Sequence, residues 1–271
     1  MSRSASPQNP EPNGEIPHMS SLRRFVLQAT PIEGAPKLLP EDQEHALKVL
    51  RVRAGDRIVG LDGRGNSWEL VVKNSDRRNL ELELCGEMVS APVPGSAKAS
   101  LPWIEVWCPL PKGNRAEAMI SKLTQLGMAR FVPILSENCE IQAKEASKGR
   151  FQRLERSSRE ALKQCGRLWL PVIDDTRDLA LLEQEEGNRI VLDPECKTNL
   201  GALIGELSGQ VEWTGQNPLI LIAGPEGGFS PRELALLRES GAHSARIGPH
   251  ILRIESAVEA ALAIVACATF R

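Results

Sequence analysis

The stretch Leu219-Ile220-Leu221-Ile222-Ala223-Gly224-Pro225-Glu226-Gly227-Gly228-Phe229-Ser230-Pro231-Arg232-Glu233 constrains the fold more than any other part of the chain. Its opening apolar run has no polar alternation, which suits a strand buried on both faces of a parallel sheet. Ser230 then stands where an N-cap belongs, Pro231 at the first helical position, and Glu233 three residues after the cap. The chain therefore passes from strand to helix through a glycine-rich loop. Such a loop lies at the carboxyl end of its strand, where open α/β sheets bind ligands. A plain strand-to-helix turn is the alternative reading. The loop is not Gly-x-Gly-x-x-Gly and carries no Gly-Lys-Ser/Thr, which disfavours a dinucleotide site and a phosphate-cradling loop.

The rest of the C-terminal part repeats this alternation. Strands are expected at 104–108, 131–135, 189–192, 219–223 and 245–247, and helices at 115–126, 148–165, 199–207, 231–240 and 255–270. Alternation of this kind predicts an α/β domain with a parallel sheet flanked by helices. It begins near Leu101, after a Pro-, Gly- and Ser-containing linker at 91–100. Before the linker the texture differs. A helix at 40–50 precedes short strands at 57–61, 68–72 and 80–84, with Asp62-Gly63-Arg64-Gly65 as a turn. Short strands with tight turns predict a small β-barrel over residues 23–90. Residues 1–22 read as a disordered tail. They contain no apolar segment of a secretory signal, and no stretch of the chain approaches the 18 apolar residues of a membrane span.

The chain has 271 residues and a formal net charge of -2, which excludes a uniformly basic nucleic-acid binder but not a local basic patch. Such a patch lies between Lys144 and Arg167, where eight Lys/Arg face three acids, a local net charge of +5. Arg153, Arg156, Lys163 and Arg167 fall on one helical face, opposite Phe151, Leu154, Ala161, Leu162, Cys165 and Leu168. A basic stripe opposite a buried one suits RNA backbone contact, with an ordinary solvated face as the alternative. The six cysteines form no Cys-x-x-Cys pair and read as buried cytosolic thiols, with no metal site. Lys112 and Arg115 stand at a helix N-terminus, where positive charge opposes the dipole and an anionic ligand would gain. Arg253 and Glu255 at the entrance of the last helix are hard to explain as core.

Four segments in order resemble the RsmE family, the small-subunit (16S) ribosomal RNA uridine-N3 methyltransferases. They are Lys112-Gly113-Asn114-Arg115 with Lys122 to Gly127; Gln164-Cys165-Gly166-Arg167; Gly224 to Ser230; and Ile251-Leu252-Arg253-Ile254-Glu255-Ser256-Ala257. Arg24-Phe25, His45, Val49-Leu50-Arg51, Gly55-Asp56 and Asp62-Gly63 match as well. The resemblance covers about residues 23–271. It implies an N-terminal PUA-like RNA-recognition barrel over 23–90 and a SPOUT methyltransferase domain over 101–271 with a trefoil knot. It also implies a cytoplasmic homodimer that acts on small-subunit ribosomal RNA in the assembled subunit.

S-adenosylmethionine would bind at Ile222, Ala223, Gly224, Pro225, Glu226, Gly227 and Gly228, and at Ile247, Gly248, Ile251 and Leu252. RNA would contact Arg24, His45, Arg51, Lys112, Arg153, Arg156, Lys163 and Arg167. Arg115 and Arg253 are candidates for stabilising a deprotonated uracil. Glu255 or Glu226 is the candidate base, or a loop and cofactor holder. The chain departs from the family pattern at Ile254 and Ser256, where threonines are usual, and at Glu44 before His45. It contains no Tyr.

Overall fold

The computed structural model describes residues 22–31, 35–76, 79–139 and 148–270. Lys144 and Glu145 of the basic segment, and all of the expected tail except Leu22, lie outside them. Two sheets organise the chain. The first has four strands in the order β1 (Arg24–Val26), β2 (Arg57–Leu61), β3 (Asn66–Ser75) and β4 (Leu80–Ser90), with β1 parallel to β2 and the others antiparallel. Phe25, Ile58, Trp68, Leu70 and Leu82 form its core, closed by Ala46.

Ala46 belongs to a helical segment that differs from the expected continuous helix. It is α-helical only over α1 (Pro40–Glu44) and then widens into a π turn at His45–Val49, where Leu50 N donates to His45 O at 3.0 Å. Arg51 follows with φ +52°, the only non-glycine residue with positive φ among those described.

The second sheet is wholly parallel. Its order is β11 (His243–Ala245), β9 (Asn188–Leu192), β10 (Leu219–Ala223), β5 (Ile104–Cys108), β6 (Arg130–Leu135) and β7 (Val172–Ile173), with β8 (Arg177–Asp178) also on β6. Successive residues of a strand face opposite sides, and β10 divides accordingly. Leu219, Leu221 and Ala223 join one core with side chains of α2 (Arg115–Gln125), α4 (Leu200–Ser208) and α6 (Ile254–Thr269). Ile220 and Ile222 join the other, with Leu237 of α5 (Pro231–Glu239) and with Leu179 and Leu182 of a 3-10 turn at Leu179–Gln184.

β11 ends two residues earlier than expected because Arg246 N turns away to donate to Thr198 O at 2.9 Å. The cysteines are all free, but Cys85, Cys165 and Cys267 are exposed, which corrects the expectation that all are buried. Among the described residues no helix is long and apolar enough to cross a membrane, and no metal-binding cluster occurs.

The two sheets are joined through α3 (Lys148–Cys165) and the segment after it. Gly65 N donates to Leu168 O at 3.0 Å, Leu170 N to Gly63 O at 2.9 Å, and Trp169 Nε1 to Ala91 O at 3.1 Å. A Cβ on Gly65 would meet the Trp169 ring at 2.5 Å, so no other residue fits there. Asp42 is the electrostatic anchor. It is 2% exposed and accepts from Val26 N at 2.6 Å and from Lys163 Nζ at 2.5 Å. Asp42→Ala would leave the half-buried Lys163 ammonium only its bond to the exposed Glu160 and would strand the buried Val26 N–H. It is expected to cost about 3–5 kcal/mol by chemical denaturation, as removal of one partner of a buried pair does. Arg153→Ala, which removes an exposed pair with Glu117, is expected to change stability by less than about 1 kcal/mol.

Candidate active site

The carboxyl ends of β11, β9 and β10 lie side by side, and a cavity of about 400 Å³ opens over them. That volume lies within the roughly 300–1,000 Å³ of small-molecule sites. Ala223, Gly224, Pro225, Glu226, Gly227 and Gly228 line one side, and Ile247, Gly248, Ile251 and Leu252 another. Ten of the eleven expected cofactor residues are thus brought together. The eleventh, Ile222, is fully buried in the core below, beside Trp107, and is not among the lining residues.

The glycine loop is shaped by its own sequence. Gly228 holds φ +72°, and a Cβ on Gly224 would meet the Phe229 ring at 3.1 Å. The expected capping box is present: Glu233 N donates to Ser230 Oγ at 3.2 Å, and Ser230 N to Glu233 Oε2 at 2.7 Å.

Asp193, Pro194 and Glu195, at the end of β9, also line the cavity and were not singled out from the sequence. An Asp-Pro pair ending a strand marks a turn, but only the pairing of β9 with β10 brings it here. Ile254, where the resemblance leads one to expect threonine, is 5% exposed, joins the main core and lines the cavity. An apolar side chain suits that place.

Next to the cavity the charged residues at the entrances of α2 and α6 meet. Arg115, the first residue of α2, donates from Nη1 to Glu255 Oε1 at 3.2 Å and from Nε to Lys112 O at 3.3 Å. Glu255 sits between Ile254 and Ala257, both of which line the cavity. Its second oxygen, Oε2, is buried with no hydrogen-bond partner. Arg253 is the N-cap residue of α6 and is exposed, with no ion pair among the described residues. Burial, and then the nearby Glu255 carboxylate, push the Cys108 thiol well above its ordinary range, so it remains a neutral member of the core beneath the site. Arg150, 8% exposed, donates to Pro111 O at 2.6 Å and braces the loop that carries Lys112. In the sequence it reads only as one more charge of the basic helix.

The expected RNA contacts divide into two groups. His45, Arg51, Lys112, Arg153 and Arg156 are exposed. Arg153 also pairs with Glu117, and the three that are not exposed are engaged more deeply within the chain. Lys163 bonds Asp42 and Glu160; Arg24 donates to Lys163 O at 3.4 Å; Arg167 donates to Thr124 O at 3.1 Å and Met128 O at 2.6 Å. Burial pulls the Arg167 guanidinium down to about 10. The stripe read from helical periodicity is therefore solvent-facing at its amino half and structural at its carboxyl half, where Lys163 is bound to Asp42 of the first part and Arg167 to carbonyls at the end of α2 and before β6.

Comparison with known proteins agrees with this geometry. Residues 98–266 match the model of an RNA methyltransferase domain, and residues 38–85 that of an RNA methyltransferase PUA domain. The Ribosomal RNA small subunit methyltransferase E of Mycobacterium bovis is 28% identical over 257 residues, covering 91% of this chain and 92% of the relative. That of Synechocystis is 29% identical, covering 89% and 76%. Among solved structures, a probable rRNA-methyltransferase from Porphyromonas gingivalis superposes with a TM-score of 0.72 at 26% identity, covering 92% and 98%. The Neisseria gonorrhoeae Ribosomal RNA small subunit methyltransferase E, bound to S-adenosyl methionine, has a TM-score of 0.72 at 23% identity, covering 89% and 95%. With the greater part of its length matching the family model, the chain belongs to the RNA methyltransferase family.

Proposed function

We propose that this protein transfers a methyl group from S-adenosylmethionine to N3 of a specific uridine in small-subunit ribosomal RNA. The observation that carries the reading is the convergence of the glycine loop and the 247–252 turn on one cavity at the carboxyl edge of a parallel sheet, with the Arg115–Glu255 pair beside it. The name and cofactor of the relatives support it. On this reading, residues 23–90 form the PUA-like RNA-recognition domain and 101–271 the SPOUT catalytic domain with its knot. The enzyme is a cytoplasmic homodimer that works on the assembled small subunit.

The cavity fits the cofactor. Its apolar lining by Ile247, Leu252, Ile254 and Ala257 suits an adenine ring, and the loops around it offer backbone groups for directional bonds. Asp193, Glu195 and Glu226 at its edge complement a ligand with ammonium and sulfonium charges. When bound, S-adenosylmethionine supplies an electrophilic methyl group. The chain must then hold a uracil in line and take its N3 proton. Loss of that proton spreads negative charge onto O2 and O4. Arg115, oriented by Glu255 and Lys112 O, and the exposed Arg253 are the donors proposed for those oxygens. Removing one such donor typically costs about 3–4 kcal/mol in the transition state. The base is Glu255, through its unpartnered Oε2, or Glu226 on the loop.

Incubation of the protein with S-adenosylmethionine and small subunits lacking the modification, then nucleoside mass spectrometry, is expected to yield N3-methyluridine. A different methylated nucleoside would move the reading to another RNA position. Arg115→Ala is expected to lower turnover by about 100-fold or more with little change in cofactor affinity, measured by single-turnover kinetics and calorimetry. Gly227→Val is expected to abolish cofactor binding; a wild-type titration would remove the loop from the site.

The division of the basic stripe gives a separate expectation. Arg156→Ala should leave thermal stability unchanged and lower the salt dependence of RNA binding by about one phosphate contact. Arg167→Ala should instead destabilise the fold by about 1.5–3 kcal/mol, since it strips charged bonds from two carbonyls.

A further inference from the structure

The glycine loop is held from outside as well as by its own turn. The segment Ser136–Cys139 follows β6, the second strand along from β10. Asn138 Nδ2 donates to Gly228 O at 3.0 Å. The Glu233 carboxylate is 8% exposed and accepts from two directions, Ser230 N at 2.7 Å through Oε2 and Glu137 N at 2.9 Å through Oε1. One carboxylate thus caps α5 and ties the post-β6 segment to the end of the loop. Asn138 also limits the loop sterically. Gly227 does not have positive φ, yet a Cβ there would meet Asn138 Cβ at 3.2 Å. Its neighbour Gly228 has open space around a Cβ but holds φ +72°. The two glycines are therefore needed for different reasons, one for the backbone and one for the neighbour.

We infer that Asn138 is a positioning residue for cofactor binding, which fixes the glycine loop by a bond to Gly228 O and by contact with Gly227. The inference rests on the function proposed above. Asn138 does not line the cavity, so it acts through the loop and not on the ligand. It is exposed, so its replacement leaves the core intact.

The test is a calorimetric double-mutant cycle with S-adenosylmethionine on the full-length protein. Asn138→Ala is expected to weaken binding about two- to tenfold, the worth of one hydrogen bond. The melting temperature should stay within about 2 °C, and turnover at saturating cofactor should match wild type. Gly227→Ala is expected to weaken binding through its clash with Asn138. Asn138→Gly, measured singly to close the cycle, removes the Cβ in question, so Asn138→Gly/Gly227→Ala should bind better than the separate losses of Asn138→Gly and Gly227→Ala predict. Additive losses, or unaltered binding by Asn138→Ala beside a wild type that binds, would overturn the positioning role alone. A wild-type protein that does not bind S-adenosylmethionine would overturn the functional reading and this inference with it.

Discussion

Because β10 is buried along its whole length on both faces, with Leu219 to Ile222 at 0% exposure, nothing polar can approach it from the side. Helices α2, α4 and α6 cover one face, and α5 with the 3-10 turn covers the other. The single place where the chain can open to a ligand in this region is the end of the strand. There β9 and β11 terminate alongside, and three loops rise together. The burial that stabilises the sheet thereby also decides where the site stands. It equally demands small, turn-forming residues in the loop, since the chain must leave a close-packed strand and enter a capped helix within seven residues, Gly224 to Ser230.

A second constraint comes from the join between the two sheets. Asp42 and Lys163 form an ion pair with little solvent around it, and α3 is pinned by it to the first sheet. Such a pair gains little over an apolar contact of the same volume, yet it is costly to break once buried. Its value here is geometric. It fixes which face of α3 turns to the first sheet and which to solvent. Arg153 and Arg156 remain outside, while Arg24 and Lys163 are consumed in holding the two parts together and Arg167 is spent inside the second part, on Thr124 O and Met128 O.

Much of this was legible in the sequence. The central strands and the helices of the second sheet carry long apolar patterns, and β5, β10 and α3 have the bounds that the patterns gave. β7 and β8 span two residues each, too short for any periodicity to register, and the π turn after α1 is invisible to a helical count. The two turn segments of the cavity were legible because glycine and proline mark them locally. Asp193 and Glu195, Arg150 and Asn138 were not, because their roles depend on contacts that only the fold creates. Asn138 and Gly228 lie 90 residues apart, Arg150 and Pro111 39. The amphipathic reading of α3 had the right period. It failed at Lys163, which meets the neighbouring domain, and at Arg167, which folds back on carbonyls of its own domain, because periodicity cannot tell solvent from a packed neighbour.

The electrostatics of the helix entrances bring these threads together. Arg115 and Arg253 each place a cation at the amino end of a helix, where the dipole disfavours it by about 0.3–1 kcal/mol. Glu255, in the first turn of α6, offsets this for Arg115 by a direct bond and sits favourably in the dipole itself. Arg253 has no such compensation within the described chain. An anionic or charge-accumulating group arriving between the two arginines would be stabilised by both guanidinium groups and by both helix ends. The unfavourable part is already present in the free protein, so it does not have to be met when the ligand arrives. Fixed donors of this kind favour a transition state over a neutral ground state, because the charge they answer exists only at the moment of reaction. On the function proposed above, a uracil losing its N3 proton develops such a charge, and the two helix ends would then favour it over the neutral base.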